Sequence, residues 1–296
     1  MATKVAINGL GRIGRAAFKI LMDTDGLELT AVNDLAPADN LAYLLKHDSV
    51  HATGAWRVAA GQDALEVDES RIRLCCEKDP ARLPWRELGI DLVLECTGAF
   101  RRAEELQKHL DAGAGRVILS APAKGEGVEM VVHAVNRPTS GARLISCASC
   151  TTNCITPVME VMDRHLGVQK ALMTTIHAYT SSQALVDSPR RKWRRGRAAA
   201  VSFVPTSTGA AKATTRVLPR LEGRFDGIAV RGPVPVGSLA DMVFLTARRT
   251  TAAALNDLFR QEAASPAYAG ILGVSETPLV SVDIIQDPRA SVVDLT

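Results

Sequence analysis

The segment around Gly9, Gly11 and Gly14 is the feature that most constrains the fold of this chain. The glycines fit the pattern G-x-G-x-x-G and stand between a short apolar run at residues 3–8 and a helical pattern that reaches residue 22. In such a unit the first glycine permits a tight turn, the second lets a pyrophosphate approach the backbone, and the third lets the helix pack on the strand. The segment therefore predicts the opening of a dinucleotide-binding domain.

An acidic residue after the second predicted strand supports this interpretation. Residues 28–33 form another apolar run, and Asp34 follows it, twenty residues beyond Gly14. A carboxylate at this position can accept hydrogen bonds from the hydroxyls of an adenosine ribose. Because it would repel a 2′-phosphate, the sequence favours NAD over NADP. The alternative is a tight strand-to-helix turn without a ligand.

The rest of the first half alternates strand and helix patterns. Short apolar runs at residues 91–96 and 116–120 flank a helical stretch at 102–111, which predicts a parallel sheet with crossover helices. Residues 55–75 alternate apolar and polar side chains around Gly61, which predicts an antiparallel excursion. We therefore predict an α/β chain that begins with a Rossmann-type doubly wound domain, residues 1–148.

From residue 168 the pattern changes to longer strands. Strands are expected at 168–176, 200–204, 227–230 and 239–247, with helices at 209–217 and 251–263. A helix at 156–166 would join the two halves. The pattern predicts an α+β catalytic domain with a mixed sheet, residues 149–296.

Composition excludes several classes of protein. The 296 residues hold no apolar run long enough to span a membrane, and the first residues lead directly into a strand without a signal peptide, so a cytoplasmic location is expected. The net charge of +3 is too small to indicate nucleic-acid binding. The basic run at 190–197 is either a solvated or subunit-contact loop or part of an anionic-substrate site. The six cysteines form neither a secreted disulfide framework nor a zinc pattern, so no metal is expected.

Cys150 is the candidate nucleophile. It lies in the run SCASCTTNC, residues 146–154, ahead of a predicted helix, and a thiol at a helix start or near a protonated imidazole is stabilised as thiolate. Cys154 would lie one turn inside the helix as a packing residue. His177 is the candidate base, whereas the other five histidines, His109 among them, have surroundings typical of surface or helix-end positions.

Two anion-binding positions are also feasible. Hydroxyl groups and glycine cluster at Ser149, Thr151, Thr180 and residues 206–209. Arg231 ends an apolar strand, where an unpaired guanidinium would be costly unless it met a carboxylate or a phosphate.

Taken together, these motifs resemble the glyceraldehyde-3-phosphate dehydrogenase family along essentially the whole chain. The sequence NGLGRIGR at 8–15 resembles the cofactor loop of the family, and ASCTTNC at 148–154 resembles its active-site signature. The segments HAYT at 177–180, RRGRAAA at 194–200, PTSTGAAKA at 205–213 and VR at 230–231 follow in the family order.

The resemblance implies a two-step reaction. The Cys150 thiolate attacks the aldehyde, His177 accepts the hydroxyl proton as hydride passes to NAD, and inorganic phosphate attacks the thioester to release 1,3-bisphosphoglycerate. It also implies a homotetramer that binds a phosphorylated aldehyde and phosphate, with no membrane or nucleic-acid partner. An NAD preference agrees with Ser188 and Pro189, which resemble the NAD-preferring version of the family.

The resemblance also assigns site residues by position. The phosphate of the substrate would contact Thr180 and Arg231, with Arg195 shared or adjacent, and the attacking phosphate would contact Ser149, Thr151, Thr208 and Gly209. The cofactor contacts would come from Asn8, Gly9, Gly11, Arg12, Ile13, Gly14, Asp34, Lys78, Thr97 and Ser120. Lys78 stands where the family usually has arginine.

Two departures from the family pattern motivate alternatives. Residues 231–238 read RGPVPVGS in place of RVPTPNVS, which would alter the substrate pocket or a subunit contact. The family continues for a few dozen residues past the position of Thr296, with a segment that contacts the nicotinamide and a final helix. The alternatives are therefore a dehydrogenase for erythrose 4-phosphate or a related phosphorylated aldehyde, and a truncated, inactive NAD-binding paralogue.

Overall fold

The structure of the protein, a computed structural model, describes residues 2–51, 54 and 56–296. The chain forms two compact units. The first comprises Met1–Val131 and Pro138–Ala148, and the second comprises Val132–Arg137 and Ser149–Thr296. The short segment Val132–Arg137 thus belongs to the second unit, although it lies within the first along the sequence.

The first unit has an α/β architecture. Its described strands are β1 (Thr3–Asn8), β2 (Leu27–Asn33), β3 (Val58–Ala60), β4 (Ala64–Val67), β5 (Ser70–Cys75), β6 (Leu92–Glu95), β7 (Arg116–Leu119), β8 (Glu129–Met130) and β9 (Leu144–Ser146). Its described helices are α1 (Arg12–Met22), α2 (Ala38–Lys46), α3 (Trp85–Leu88) and α4 (Ala103–Asp111).

These strands form one sheet in the order β3-β4-β5-β2-β1-β6-β7-β9-β8. The central strands are parallel, whereas β3, β4 and β5 pair antiparallel to one another. The doubly wound prediction is therefore confirmed, as is the antiparallel excursion, although residue 55 at its start lies outside the described residues. The strand order reverses direction between β1 and β6, and in open α/β sheets ligands bind beyond the carboxyl ends of the strands at such a point.

The sheet of the first unit is buried on both faces. Along β1, Val5 and Ile7 pack into one apolar cluster with Phe18, whereas Ala6 packs into another with Trp85. Because successive side chains of a strand point to opposite faces, this division requires apolar layers on both sides of the sheet. The apolar runs that predicted the strands are therefore explained by burial from two sides.

The second unit contains a mixed sheet. Its described strands are β10 (Val168–Ala178), β11 (Val204–Ser207), β12 (Phe225–Gly232), β13 (Ser238–Thr246), β14 (Leu272–Ser275) and β15 (Ser291–Asp294). Its described α-helices are α5 (Cys150–Leu166), α6 (Ala210–Val217) and α7 (Ala252–Ala264). The main sheet has the order β11-β12-β10-β13, and β10 is parallel to β12 but antiparallel to β13. This confirms the predicted mixed sheet.

Two boundaries predicted for the second unit are wrong. The strand expected at 200–204 is a 3-10 turn at Ala199–Val201, because the Ala199 amide donates to the Ala184 carbonyl of a neighbouring loop and the strand begins only at Val204. Helix α5 begins at Cys150 rather than at residue 156, because the Ser149 hydroxyl caps it.

No helix among the described residues is both long enough and apolar enough to cross a membrane.

Candidate active site

Two secondary-structure ends bring Cys150 and His177 together. Cys150 is the first residue of α5, and Ser149 precedes it as the N-cap, with its Oγ accepting a hydrogen bond from the Thr152 amide at 3.1 Å. His177 is the penultimate residue of β10. The Cys150 Sγ lies 3.3 Å from the His177 Nε2, within hydrogen-bonding distance for sulfur. The pair therefore has the contact that nucleophile and base require.

The surroundings of Cys150 favour its thiolate. Burial alone would raise the pKa of its thiol, but the hydrogen bond and charge of His177, together with the amide and hydroxyl of Thr151, bring the pKa below its ordinary value. Burial instead raises the pKa of Cys154, one turn further along α5, and of Cys147. Since the thiolate is the reactive form, these shifts favour Cys150 over Cys147 and Cys154 as the nucleophile.

Contacts at the other ring nitrogen orient His177. Its Nδ1 lies 2.7 Å from the Ala178 carbonyl oxygen, and the same oxygen accepts a hydrogen bond from Arg231 Nη1 at 2.9 Å. Arg231 Nη1 also lies 2.5 Å from Nδ1. A guanidinium nitrogen can only donate, so Nδ1 accepts from Arg231 when it is unprotonated, whereas a proton on Nδ1 is directed at the Ala178 oxygen. In either state these contacts hold the ring with Nε2 beside the Cys150 sulfur.

Strand register explains why Arg231 adjoins His177. The two residues are direct partners in the parallel pairing of β10 with β12, and such partners point to the same face of a sheet. The sequence singled out each residue separately, but only the pairing of two strands more than fifty positions apart places them side by side.

Arg195 and Arg231 form a positively charged site in the second unit. Among the described residues, neither arginine forms an ion pair with a carboxylate, and the Nε of each is buried without a hydrogen-bond partner. Burial lowers the pKa of Arg231, and the charge of Arg195 lowers it further. Two like charges held together in this way favour a bound anion.

Hydroxyl groups complete this positive site. The Thr180 Oγ1 is 2.8 Å from the Ser182 Oγ, and Arg195 reaches that Ser182 oxygen at 3.5 Å and the Thr206 Oγ1 at 3.1 Å. Thr180 and Arg195 are therefore connected through Ser182, and Arg231 lies close enough for the charge of Arg195 to lower its pKa. Thr180, Arg195 and Arg231 were predicted to bind the substrate phosphate. Ser182 was not predicted, since a single serine in a loop carries no distinguishing sequence pattern.

The residues predicted to bind the attacking phosphate are engaged in local structure. The Ser149 hydroxyl caps α5, Thr151 is buried with its amide and hydroxyl bonded to the Cys150 sulfur, and the Thr208 Oγ1 accepts from the Ala210 amide. Gly209 is the exposed N-cap residue of α6. Their role in phosphate binding stays a prediction.

In the first unit, the glycine loop has the shape of a phosphate cradle. A Cβ on Gly9 would lie 2.8 Å from the Thr97 nitrogen, and one on Gly14 would lie 1.9 Å from the Gly9 oxygen, so both positions exclude a side chain. Gly11 faces open space, and among the described residues no side chain caps α1, which begins immediately after it. A helix N-terminus without a side-chain cap, behind an accessible backbone, suits a pyrophosphate.

The other predicted cofactor contacts are distributed along the carboxyl edge of the same sheet. Asp34 accepts hydrogen bonds from the Leu10 amide at 2.7 Å and the Ala36 amide at 3.0 Å, which ties it to the glycine loop. Ser120 follows β7, and its amide donates to the Glu95 carbonyl. Four further predicted residues are exposed near this edge or on the first turn of α1: Arg12, Ile13, Lys78 and Thr97. The structure thus gathers these residues in one unit.

Sequence reasoning missed a buried polar cluster beneath this edge. His109 lies in the last turn of α4, a helix end as predicted, but it is completely buried rather than at the surface: its ring accepts from the Trp85 indole and contacts Glu95. The Asn8 side chain is also buried and donates to Glu95. The sequence signal that could have indicated this cluster is the pair of polar residues, Asn8 and Glu95, that end two apolar strands.

Comparison with known proteins agrees with both units. Residues 149–296 match the C-terminal domain of glyceraldehyde 3-phosphate dehydrogenase, and residues 3–103 match its NAD binding domain. The glyceraldehyde-3-phosphate dehydrogenase of Zymomonas mobilis is 44% identical over 99% of this chain and 88% of its own length. Glyceraldehyde-3-phosphate dehydrogenase 2 of Bacillus subtilis is 44% identical over 99% and 87%, respectively. The resemblance is confirmed, and the chain belongs to the glyceraldehyde-3-phosphate dehydrogenase family.

Proposed function

We propose that this chain oxidises glyceraldehyde 3-phosphate with NAD and inorganic phosphate to 1,3-bisphosphoglycerate, through a thioester on Cys150. The observation that carries the proposal is the 3.3 Å contact between Cys150 and His177, beside two arginines that form no ion pair with any carboxylate in the described part of the chain. A low-pKa thiol with an adjacent base attacks a carbonyl, and the arginines supply the charge that a phosphorylated substrate needs.

The first half of the reaction forms the thioester. The Cys150 sulfur attacks the aldehyde carbon, and the carbonyl oxygen takes the proton of the His177 imidazolium, which gives a hemithioacetal. His177 Nε2 then accepts the hydroxyl proton as hydride leaves the same carbon, so that a carbonyl re-forms as a thioester. NAD, when bound, supplies the hydride acceptor.

The second half returns the enzyme to its starting state. An oxygen of inorganic phosphate attacks the thioester carbon, the carbon–sulfur bond breaks, and the Cys150 thiolate leaves as the acyl phosphate is released. The amide of Cys150 lies in the first turn of α5, where amides have no acceptor within the helix, so it can stabilise the intermediate oxyanion. Protonated His177 supplies a second donor on the side of the sulfur.

The first unit fits the cofactor. Gly11 and the uncapped start of α1 would hold the pyrophosphate of NAD, and Asp34 would hold the ribose hydroxyls with the lone pairs that the Leu10 and Ala36 amides leave. The contacts of Lys78, Thr97 and Ser120 are proposed from family position.

A homotetramer is proposed from the family and from an apolar sheet face. Six large aliphatic side chains are exposed on one face of the second unit's sheet: Leu172, Ile176, Ile228, Leu239, Val243 and Leu245. Contiguous apolar patches of this kind mark subunit contacts. Val243→Asp should shift the mass measured by light scattering to smaller oligomers, whereas Ile20→Asp, an exposed isoleucine of the other unit, should not. An unchanged mass for Val243→Asp would contradict this use of the face.

Pre-steady-state kinetics test the reaction. Wild-type protein mixed with glyceraldehyde 3-phosphate and NAD should give a burst of NADH, and steady turnover should require inorganic phosphate. Cys150→Ser should abolish the burst, and the matched variant Cys154→Ser should keep it. If wild type shows no burst and no selective alkylation of Cys150, the chain is not this enzyme.

The same assay separates the alternative substrates. Turnover that does not depend on phosphate would exclude the phosphorylating reaction. A higher kcat/KM for erythrose 4-phosphate would assign the alternative aldehyde. A cytoplasmic location remains a prediction, and fractionation of the source cells would test it.

A further inference from the structure

A fully buried carboxylate lies at the carboxyl edge of the sheet in the first unit. Glu95, His109 and Trp85 have no exposed surface, and Asn8 is 1% exposed. The proposed reaction uses none of these side chains. Burying a carboxylate is costly unless hydrogen bonds replace its lost water, so the contacts of Glu95 show what it holds in place.

Four donors from three parts of the chain meet the Glu95 carboxylate. Its Oε1 accepts hydrogen bonds from the Thr97 amide at 2.8 Å and from the Thr97 hydroxyl. Its Oε2 accepts from Asn8 Nδ2 at 2.5 Å and lies 3.2 Å from His109 Nε2. The carboxylate therefore links the end of β1, the loop after β6 and helix α4.

The direction of the hydrogen bonds at His109 follows from its other neighbour. Trp85 Nε1 lies 3.0 Å from His109 Nδ1, and an indole nitrogen can only donate. His109 Nδ1 must therefore accept, which places the ring proton on Nε2, directed at Glu95. The 3.5 Å approach of Asn8 Nδ2 to Nε2 is then a contact between two donors that share one acceptor oxygen.

The amide of Asn8 is oriented in the same way from the other side. Asn33 exchanges two hydrogen bonds with the backbone of Glu77, at 2.8 and 2.9 Å, which fixes which end of its amide is NH₂. The Asn33 Nδ2 then donates to Asn8 Oδ1 at 2.7 Å, so the Asn8 NH₂ must face Glu95. The donors of Asn8 and His109 are thus both directed toward the Glu95 carboxylate.

This cluster lies directly beneath the proposed cofactor site. Asn8 and Glu95 are register partners at the carboxyl ends of β1 and β6, where the strand order reverses. Gly9 follows Asn8 and packs against the Thr97 backbone, which Glu95 binds. We propose that Glu95, oriented by His109 and Trp85, is the positioning residue that holds the Gly9 and Thr97 backbones in the geometry that binds NAD. The proposal rests on the proposed NAD-binding role of this unit.

Glu95→Gln tests the carboxylate with little change of shape. An amide replaces one acceptor oxygen by a donor, and all four groups around Glu95 are donors. Turned one way, the new NH₂ faces Asn8 and His109, and turned the other way it faces Thr97. Asn8 cannot turn its own amide over, because Asn33 holds it.

A second substitution makes the expected effect specific. In Glu95→Gln, His109 cannot move its proton from Nε2 to Nδ1 to accept from the new NH₂, because the Trp85 indole already donates to Nδ1. Trp85→Phe removes that donor and permits the move. The double variant Trp85→Phe/Glu95→Gln should therefore bind NAD better than Glu95→Gln alone, a coupling that a general loss of packing would not produce.

NAD affinity is the direct readout. By titration calorimetry on the full chain, Glu95→Gln should raise the Kd for NAD roughly tenfold or more, since charge-assisted hydrogen bonds to the loop are lost. The KM for NAD should rise with it, while kcat at saturating NAD falls much less. The alkylation rate of Cys150 without NAD should stay at the wild-type value. The double variant should recover several-fold of the lost affinity.

Controls separate positioning from stability and from the proposed function. Glu105→Gln removes a carboxylate that caps α4 in the same unit, so it should lower thermal stability but leave the Kd for NAD unchanged. If Glu95→Gln does not fold, Glu95→Asp is the variant to test instead. Its shorter side chain keeps the carboxylate but cannot reach all four donors, so it should weaken NAD binding several-fold. A wild-type Kd in the variant that folds, or additive effects in the double variant, would overturn the positioning role. A wild-type chain that binds no NAD would overturn the cofactor assignment as well.

Discussion

Adding a methyl group at Gly11 and adding one at Gly14 should affect different properties of the first unit. Gly14→Ala would place a Cβ 1.9 Å from the Gly9 oxygen, whereas Gly11→Ala would place one in open space. We therefore expect Gly14→Ala to destabilise the protein itself. We expect Gly11→Ala to leave the protein as stable as before but to weaken NAD binding, because its methyl group occupies the approach of the pyrophosphate.

The size of each effect follows from the contacts. Ordinary contact begins at 3.4 Å, so the Gly14→Ala variant must move the loop and helix apart by about 1.5 Å. Overpacking typically costs ~1–3 kcal/mol, and the upper end is expected because a backbone carbonyl cannot rotate away. At Gly11 the φ of −66° suits alanine, and the slightly poorer N-cap is offset by the lower entropy of the unfolded chain. The change in stability there should stay within about 0.5 kcal/mol.

Urea unfolding and NAD titration measure the two effects separately. Without NAD, Gly14→Ala should unfold at a clearly lower urea concentration, and Gly11→Ala should unfold with the wild type. With NAD, Gly11→Ala should show a Kd raised roughly tenfold or more. The reasoning is refuted if Gly14→Ala unfolds with the wild type, or if Gly11→Ala loses as much stability as Gly14→Ala.

Three further changes test other parts of the structure. His177→Asn removes the hydrogen bond and charge that lower the pKa of Cys150, so iodoacetamide alkylation should shift to higher pH; an unshifted profile would contradict this role. Arg231→Met should raise the KM for glyceraldehyde 3-phosphate roughly tenfold or more in steady-state assays, but affect unphosphorylated glyceraldehyde much less. Burial alone would raise the pKa of Asp48, but hydrogen bonds from backbone amides and from Lys19 lower it to about 2, below its ordinary value of 3.8. Asp48→Asn should therefore cost about 2 kcal/mol at pH 7. That difference should shrink as the pH falls below about 4 and be lost below about 2, and urea unfolding that shows a constant difference would refute it.

Much of the fold could be predicted because its strands and helices have distinct periodicities. The runs that became β1, β2, β6 and β7 are short, apolar and separated by helical stretches, and burial on both faces of a parallel sheet requires that composition. The predicted boundaries are wrong where a tertiary contact holds the backbone in a conformation that the local sequence pattern does not favour. The apolar run at 200–204 has the composition of a strand, yet a hydrogen bond from Ala199 to a neighbouring loop holds its start in a turn.

The chemical identity of the site was available from short motifs, because their function depends on local spacing. The three glycines lie within one short segment, and the cysteine directly follows its N-cap serine. In each motif the order of residues along the chain is therefore enough to predict the function. The family resemblance then assigned the distant residues by position.

The amino-acid sequence by itself predicted the two folds, the glycine loop and the candidate nucleophile. Only the tertiary structure placed Arg231 beside His177 and directed four donors toward the buried Glu95. The physical reason is that both arrangements depend on strand register between segments that are distant in sequence. Periodicity shows which face of a strand is buried, but not which residue of another strand lies beside it.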